Sequence, residues 1–352
     1  MVRTEDTRPV RPGEELDEKR VERFLREHLD VPDGELYIRQ FGAGHSNLTY
    51  ELSIGDWNAV LRRPPMGPVA PKAHDMEREF KVIEALHPVF PLAPKPYAFD
   101  SGEVLGRPFF VMERREGLVY DTSFPDEVEE SEELNREISE TMVDRLAELH
   151  AVDYTKTPLV DMVKPDGFME RQIHGWIKRF DKSRTDDVVS GERLKRWLVD
   201  HIPSSNEHAV IHYDYKLNNS MFSKTNPSEM IGLFDWEMTT VGDPLADLGA
   251  ALSYWIENDD PEMLKTGLGK VPITMRSGFY TRDEFIQRYA EKSGLDLSQI
   301  HVYQTFAYYK LAGIIQQIYF RYKKGQTNDP RFASMNVFVN NLISYAEETA
   351  GL

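Results

Sequence analysis

Apolar positions first recur at helical spacing, at Leu16, Val21, Phe24, Leu25 and Leu29, which predicts an amphipathic helix over residues 14–29. Asp30-Val-Pro-Asp-Gly34 stops it. The period then shortens to two. Residues 36–41 read as a strand, Leu48, Tyr50, Leu52 and Ile54 alternate as a second, and residues 57–63 form a third. Helical spacing returns over 74–86, and two more strands are expected at 97–100 and 108–113. Residues 1–12 read as a loose arm. After Gly117 the pattern is helical, with helices expected over 134–150, 168–180, 193–202, 283–293, 299–322 and 331–348.

Two short apolar runs interrupt that helical half. Val210-Ile211 leads into His212-Tyr213-Asp214, with Asn219 five residues beyond Asp214. Met230 to Phe234 ends at Asp235, with Trp236 and Glu237 behind it. Two buried strands thus each deliver an acid at or near their ends, with an Asn between. Phosphoryl transfer needs such a set: one carboxylate orients the attacking hydroxyl and accepts its proton, while an Asn and a second carboxylate hold Mg²⁺ on the nucleotide phosphates. The bland alternative is two Asp residues capping turns. The glycine-bearing turn Gly42-Ala-Gly44-His-Ser46-Asn47 lies between two strands, where backbone N–H groups can approach phosphate oxygens without a Cβ in the way. An ordinary hairpin turn would look the same.

Composition narrows the classes. The 352 residues contain no cysteine, which excludes disulfides, cysteine–zinc sites and thiol catalysis, and suits a cytoplasmic protein. The formal net charge of −17 argues against nonspecific nucleic-acid binding and against an anionic membrane surface. No apolar run is long enough to predict a transmembrane helix, and the charged, proline-bearing first residues do not read as a signal peptide.

The stretch Val210 to Asp247 resembles the catalytic and metal-binding loops of the aminoglycoside phosphotransferase-like (APH/choline kinase) family, a branch of the protein-kinase fold. The resemblance covers about residues 35–345 and is strongest over 209–250. Leu61-Arg-Arg-Pro-Pro65 and the aromatic-rich segment from Gln299 are similar to the branch associated with acyl-CoA dehydrogenases. The resemblance implies an α+β, protein-kinase-like, two-lobed fold: a small antiparallel β lobe and a larger, mainly helical lobe. Residues 1–34 are expected to form an arm and helix, 35–116 the nucleotide-binding lobe, and 117–352 the lobe carrying both loops and the acceptor cleft. ATP would lie between the lobes.

The family's roles fall on particular residues here. Asp214 would be the base, and Asn219 and Asp235 would hold Mg²⁺. His212 and Asp247 would brace the loop, and His150 reads as structural. Gly42, Gly44, Ser46 and Asn47 would cover the phosphates. Val60 would lie over adenine, and Arg62 would reach the phosphates, with Arg63 as its rival. Glu79 would pair with that cation, with Glu77 as the alternative. Met112 would back the adenine pocket, and the backbone of Glu113 and Arg115 would bond the adenine edge. Two departures stand out: Tyr213 where the family usually has Gly, and Arg62 where the wider fold has Lys.

The implied activity is transfer of the ATP γ-phosphate to a small-molecule hydroxyl. A hydroxyacyl-CoA is the acceptor that the branch suggests, with Lys310, Arg321, Lys323, Lys324 and Arg331 as a basic cluster for it. An aminoglycoside or another small alcohol is the alternative, and a nucleotide-binding pseudokinase scaffold is the alternative of another class. Monomer and homodimer both stay open.

Overall fold

The computed structural model describes residues 6–42, 47–66, 74–204, 207–267, 271–327 and 329–352. The chain divides into two compact units, residues 1–117 with 231–239, and residues 118–230 with 240–352. The sequence reading put 231–239 with the C-terminal lobe; by contact they group with the first unit.

In the first unit, β1 (Thr7–Arg8), β2 (Tyr37–Phe41), β3 (Leu48–Ile54), β4 (Trp57–Arg63), β5 (Pro96–Asp100) and β6 (Phe109–Glu113) form one antiparallel sheet in the order β1-β2-β3-β4-β6-β5. The expected loose arm is therefore partly a strand. Thr7 pairs with Phe41, its hydroxyl donates to Glu51, and the Arg39 guanidinium donates to both oxygens of Thr7. The Tyr50 hydroxyl fastens the following residues by donating to the Glu14 carbonyl at 2.6 Å.

The pleat sends alternate side chains of β4 to opposite faces. Ala59 and Leu61 join Tyr50, Leu52, Phe109 and Val111 in a core with Val21, Phe24 and Leu25 of α1 (Glu18–His28). The opposite face carries Val60 and Arg62, whose cross-strand partners on β6 are Met112 and Phe110. Against it lies α2 (Met76–Leu86), where Phe80 packs on Phe110 and Phe99. The sheet is thus covered by one helix on each face. Trp236, from the late segment of this unit, is buried edge-on against Phe90 and donates its indole N–H to Leu233 O.

The second unit is built around a long buried helix. Its elements are α3 (Glu132–His150), α4 (Phe168–Ser183), α5 (Glu192–Asp200), β7 (Ala209–Ile211), β8 (Ser220–Phe222), β9 (Met230–Leu233, mostly in the first unit), β10 (Thr240–Gly242), α6 (Pro244–Tyr254), α7 (Glu262–Thr266), α8 (Arg282–Ser293), α9 (Ile300–Lys323) and α10 (Met335–Thr349). β7 and β10 pair antiparallel, Val210 opposite Val241. Helix α9 packs against α4, α6 and α10. Its approach to α6 depends on Gly249, where a Cβ would stand 2.9 Å from the Tyr303 carbonyl. Helix α6 starts from Asp243, whose carboxylate caps Leu245 N–H and accepts a 2.6 Å bond from the Tyr303 hydroxyl. Helix α6 is buried along almost its whole length, which matches its near-continuous apolar sequence.

Candidate active site

Each unit carries one set of polar side chains that the sequence had singled out. In the first unit strand alternation sends Arg62 and Arg63 to opposite faces of the sheet. Arg62 turns toward α2, where Glu79 Oε2 stands 3.2 Å from its Nε, and Asp235 Oδ1 lies 2.6 Å from its Nη2. Arg63 turns to the α1 side, buried near Tyr50 and Arg107. Glu77, the rival of Glu79, instead pairs with Lys81 on the helix surface.

Burial works to discharge the Arg62 guanidinium, but Glu79, Asp235 and Glu237 outweigh it and hold it above its ordinary value. One cation cannot neutralise three carboxylates. Burial, only partly offset by Arg62, pushes the Glu79 carboxyl up to about 8, with Asp235 and Glu237 adding to the rise. Glu79 is the most deeply buried acid of this cluster.

Asp235 adopts left-handed φ of 67°, uncommon for a residue with a side chain. Glu237 was not singled out from sequence. It accepts from Asn47 Nδ2 at 3.0 Å, and His74 Nδ1 donates to Asn47 Oδ1 at 2.8 Å. The Arg78 guanidinium donates to the carbonyls of Glu237 and Thr239. The signal for Glu237 was an acid two positions past Asp235; His74 had none. Asn47 is thus engaged with the 235–239 segment, and the Gly42 N–H donates to Asp6 O at 3.3 Å. Gly44 and Ser46 lie outside the described residues.

Two residues expected at the adenine pocket sit side by side on the sheet. Val60 and Met112 face each other across β4 and β6, both buried. The Glu113 N–H, however, donates to Lys95 O at 2.8 Å, so that donor is committed within the protein. The Arg115 side chain is a clamp: its guanidinium donates to the carbonyls of Pro91, Leu92, Ala93 and Ile231 and to the Glu113 carboxylate.

In the second unit, β7 ends at Ile211 and the chain turns through His212 and Tyr213 to Asp214. Asp247, fully buried on the first turn of α6, accepts from His212 N–H at 2.6 Å and Tyr213 N–H at 2.8 Å. His150 Nε2 donates to the same carboxylate at 3.1 Å, and its Nδ1 lies 2.6 Å from the Tyr289 hydroxyl. Burial alone would raise the Asp247 carboxyl, but the bond and charge of His150, with help from His212, hold it below its ordinary value.

Within the loop, His212 Nδ1 accepts from Asp214 N–H at 3.3 Å. Asn219 Nδ2 donates at 2.9 Å to both the Asp214 carbonyl and its Oδ2. A short 3-10 turn, residues 217–219, carries Asn219 back toward Asp214. Lys216, which sequence reasoning passed over despite lying two residues from Asp214, reaches the Asp214 oxygens at 3.0 and 2.9 Å.

The basic cluster expected late in the chain does not exist as such. Lys310 is buried on α9, while Arg321, Lys323, Lys324 and Arg331 are exposed further along. Lys310 lies more than three helical turns from Arg321, about 16 Å along the axis. Arg331 is held by its neighbour Asp329, and Lys323 pairs with Asp187.

Among the described residues, no helix is long and apolar enough to cross a membrane. No cluster of three or more His, Asp or Glu there has the geometry of a metal site.

Comparison with known proteins places this arrangement. The model of the phosphotransferase enzyme family matches residues 38–270. Acyl-CoA dehydrogenase family member 11 of Rattus norvegicus is 33% identical over 337 residues, which cover 92% of this chain and 42% of that protein. The chain thus spans less than half the length of the acyl-CoA dehydrogenase family members 10 and 11 that it matches. A Ralstonia eutropha protein classed provisionally as an aminoglycoside phosphotransferase superposes with a TM-score of 0.80 at 28% identity, covering 96% of this chain and 99% of that one. Choline kinase of Cryptosporidium parvum, at 13% identity, shares the fold with a TM-score of 0.60, covering 95% of each chain. The two-unit α+β architecture is accordingly that of the kinase-like phosphotransferases, and the chain belongs to the phosphotransferase enzyme family.

Proposed function

We propose that this phosphotransferase moves the γ-phosphate of ATP to the hydroxyl of a small molecule, with Asp214 as the base. The observation that carries the reading is the 212–219 loop. Asp247 fixes its backbone at His212 and Tyr213, and Asn219 and Lys216 hold the Asp214 carboxylate. A carboxylate so oriented can accept the proton of an attacking hydroxyl without first searching for its position.

The donors suit Mg²⁺ at Asn219 and Asp235. Each side chain offers oxygen, the ligand a hard cation takes. With its amide nitrogen turned to Asp214, Asn219 keeps its oxygen as the ligating atom. When bound, the ion would neutralise charge on the phosphates. Arg62 would add its own positive charge there, with Glu79 holding the guanidinium in place.

For the acceptor we infer a hydroxyacyl-CoA. Support comes from the relatives named acyl-CoA dehydrogenase family members, of which this chain matches about two fifths in member 11. Cytoplasmic location and a monomeric or homodimeric state belong to the same reading, and nothing in it calls for nucleic acid or a membrane.

The test is incubation with Mg-ATP and a panel of 3- and 4-hydroxyacyl-CoAs, free hydroxy acids, aminoglycosides and choline, read by mass spectrometry, with an Asp214→Asn control. Phosphorylated hydroxyacyl-CoA, absent in the control, is the expected product. Product with an aminoglycoside or choline alone would keep the chemistry and overturn the acceptor. Nucleotide binding with no transfer to any acceptor would favour the scaffold reading.

A further inference from the structure

Tyr213 stands immediately before Asp214 in the left-handed region, with φ of 67°. Glycine takes that conformation freely; a tyrosine does so only under restraint. The restraints are visible on every part of the residue. Its N–H donates to Asp247 Oδ1 at 2.8 Å. Its ring packs edge-on against Phe168 of α4, with centroids 5.8 Å apart. Its carbonyl accepts from Lys310 Nζ at 3.2 Å, and the same nitrogen lies 3.1 Å from the centroid of its ring. Among the described residues the buried Tyr213 hydroxyl has no hydrogen-bond partner, so the ring is held by its face and not by its oxygen.

Lys310 comes from α9, 97 residues later in the chain, and is itself buried. Buried amine N–H groups are costly unless they meet acceptors, and here they meet one carbonyl and one π face of the same residue. The consequence for Asp214 follows from peptide planarity. The peptide unit joining Tyr213 to Asp214 is gripped at both ends: Lys310 holds its oxygen, and His212 Nδ1 accepts from its N–H. With that plane fixed, the Asp214 Cα is fixed too. We propose that Lys310 is a positioning residue, which clamps the strained Tyr213 and thereby sets the Asp214 carboxylate for reaction. Its effect on turnover presupposes the kinase activity proposed above; its effect on the loop backbone does not.

The test is a double-mutant cycle of Lys310→Met and Tyr213→Gly, with two readouts. The first is amide hydrogen exchange over residues 211–216. The second is Mg-ATP turnover, with a 3-hydroxyacyl-CoA or with water alone. Lys310→Met is expected to speed exchange in that segment and lower kcat by about tenfold each, with the KM for ATP within about twofold. In the Tyr213→Gly background, where no side chain needs the clamp, the same change should cost less than about threefold. Unchanged exchange, or an equal cost in both backgrounds, would overturn the proposal. Should Lys310→Met fail to fold, Lys310→Gln, which keeps a polar group at that depth, gives the same readings. A wild-type protein that turns over no ATP would remove the kinase reading, and exchange alone would then decide the role of Lys310.

Discussion

Arg62 Nη2 stands 2.6 Å from Asp235 Oδ1, so the cation of the central strand pairs with the acid expected to hold metal. Arg62 also keeps Glu79 and Glu237 within ion-pair range. Removing it strands these carboxylates, two of them only partly hydrated. Arg62→Met is expected to lower stability by about 3 kcal/mol in urea denaturation, the scale of breaking a buried pair from one side. Arg62→Lys should retain the charge but not the fork that reaches two acids, and should fall between the two.

Asp214 and Asp235 should separate kinetically. Asp214→Asn is expected to cut phosphoryl transfer by at least about a thousandfold while ATP affinity stays within a few-fold. Asp235→Asn should instead weaken Mg-dependent nucleotide binding itself. Isothermal titration with and without Mg²⁺, beside single-turnover rates, distinguishes them. Near-normal turnover in Asp214→Asn would refute its role as base.

Asp247 accepts from two backbone N–H groups and His150 from full burial. Asp247→Ala leaves those donors without an acceptor and should cost about 3–5 kcal/mol, enough to unfold a marginal domain at growth temperature. A thermal melt reads this directly. Asp247→Asn, which keeps one acceptor oxygen, should cost less.

Lys310 gives a pH signature of stability. Burial pushes its ammonium from the ordinary 10.5 down to about 7, against the pull of Asp214 and Asp247 and with a further push from Arg179 and Lys216. Between those values the unfolded chain binds a proton that the folded chain does not. Its contribution to stability therefore rises with pH across that window and is lost as pH falls toward 7. Relative to Lys310→Met, the wild type should gain about 2 kcal/mol between pH 7 and 9. Urea midpoints at both pH values measure it, and a parallel shift in both proteins would contradict it.

Much of this was legible from residue order. Period-two alternation gave β3 and β4 at their observed bounds. The spacing of Asp214 to Asn219 carried the loop, because its contacts are local. What escaped was set by distant partners. Strand β1 forms because Thr7 finds Glu51 and Arg39, and no local pattern announces that. Lys310 was grouped with four exposed cations because a helix rich in aromatic residues gives no sign of which polar position faces inward.

The segment 231–239 supplies the first unit with Trp236, the Phe90 neighbour, and with Asp235, the Arg62 partner. During synthesis, a ribosome that has finished the sheet at Glu113 must add more than a hundred further residues before that piece emerges. The nascent sheet unit meanwhile carries an open slot beside Phe90 and a guanidinium still lacking two of its three acids. Its completion is therefore a late event, timed by the emergence of the second unit's first half. A fragment ending at Gly117 would be a sheet waiting for its closing stitch.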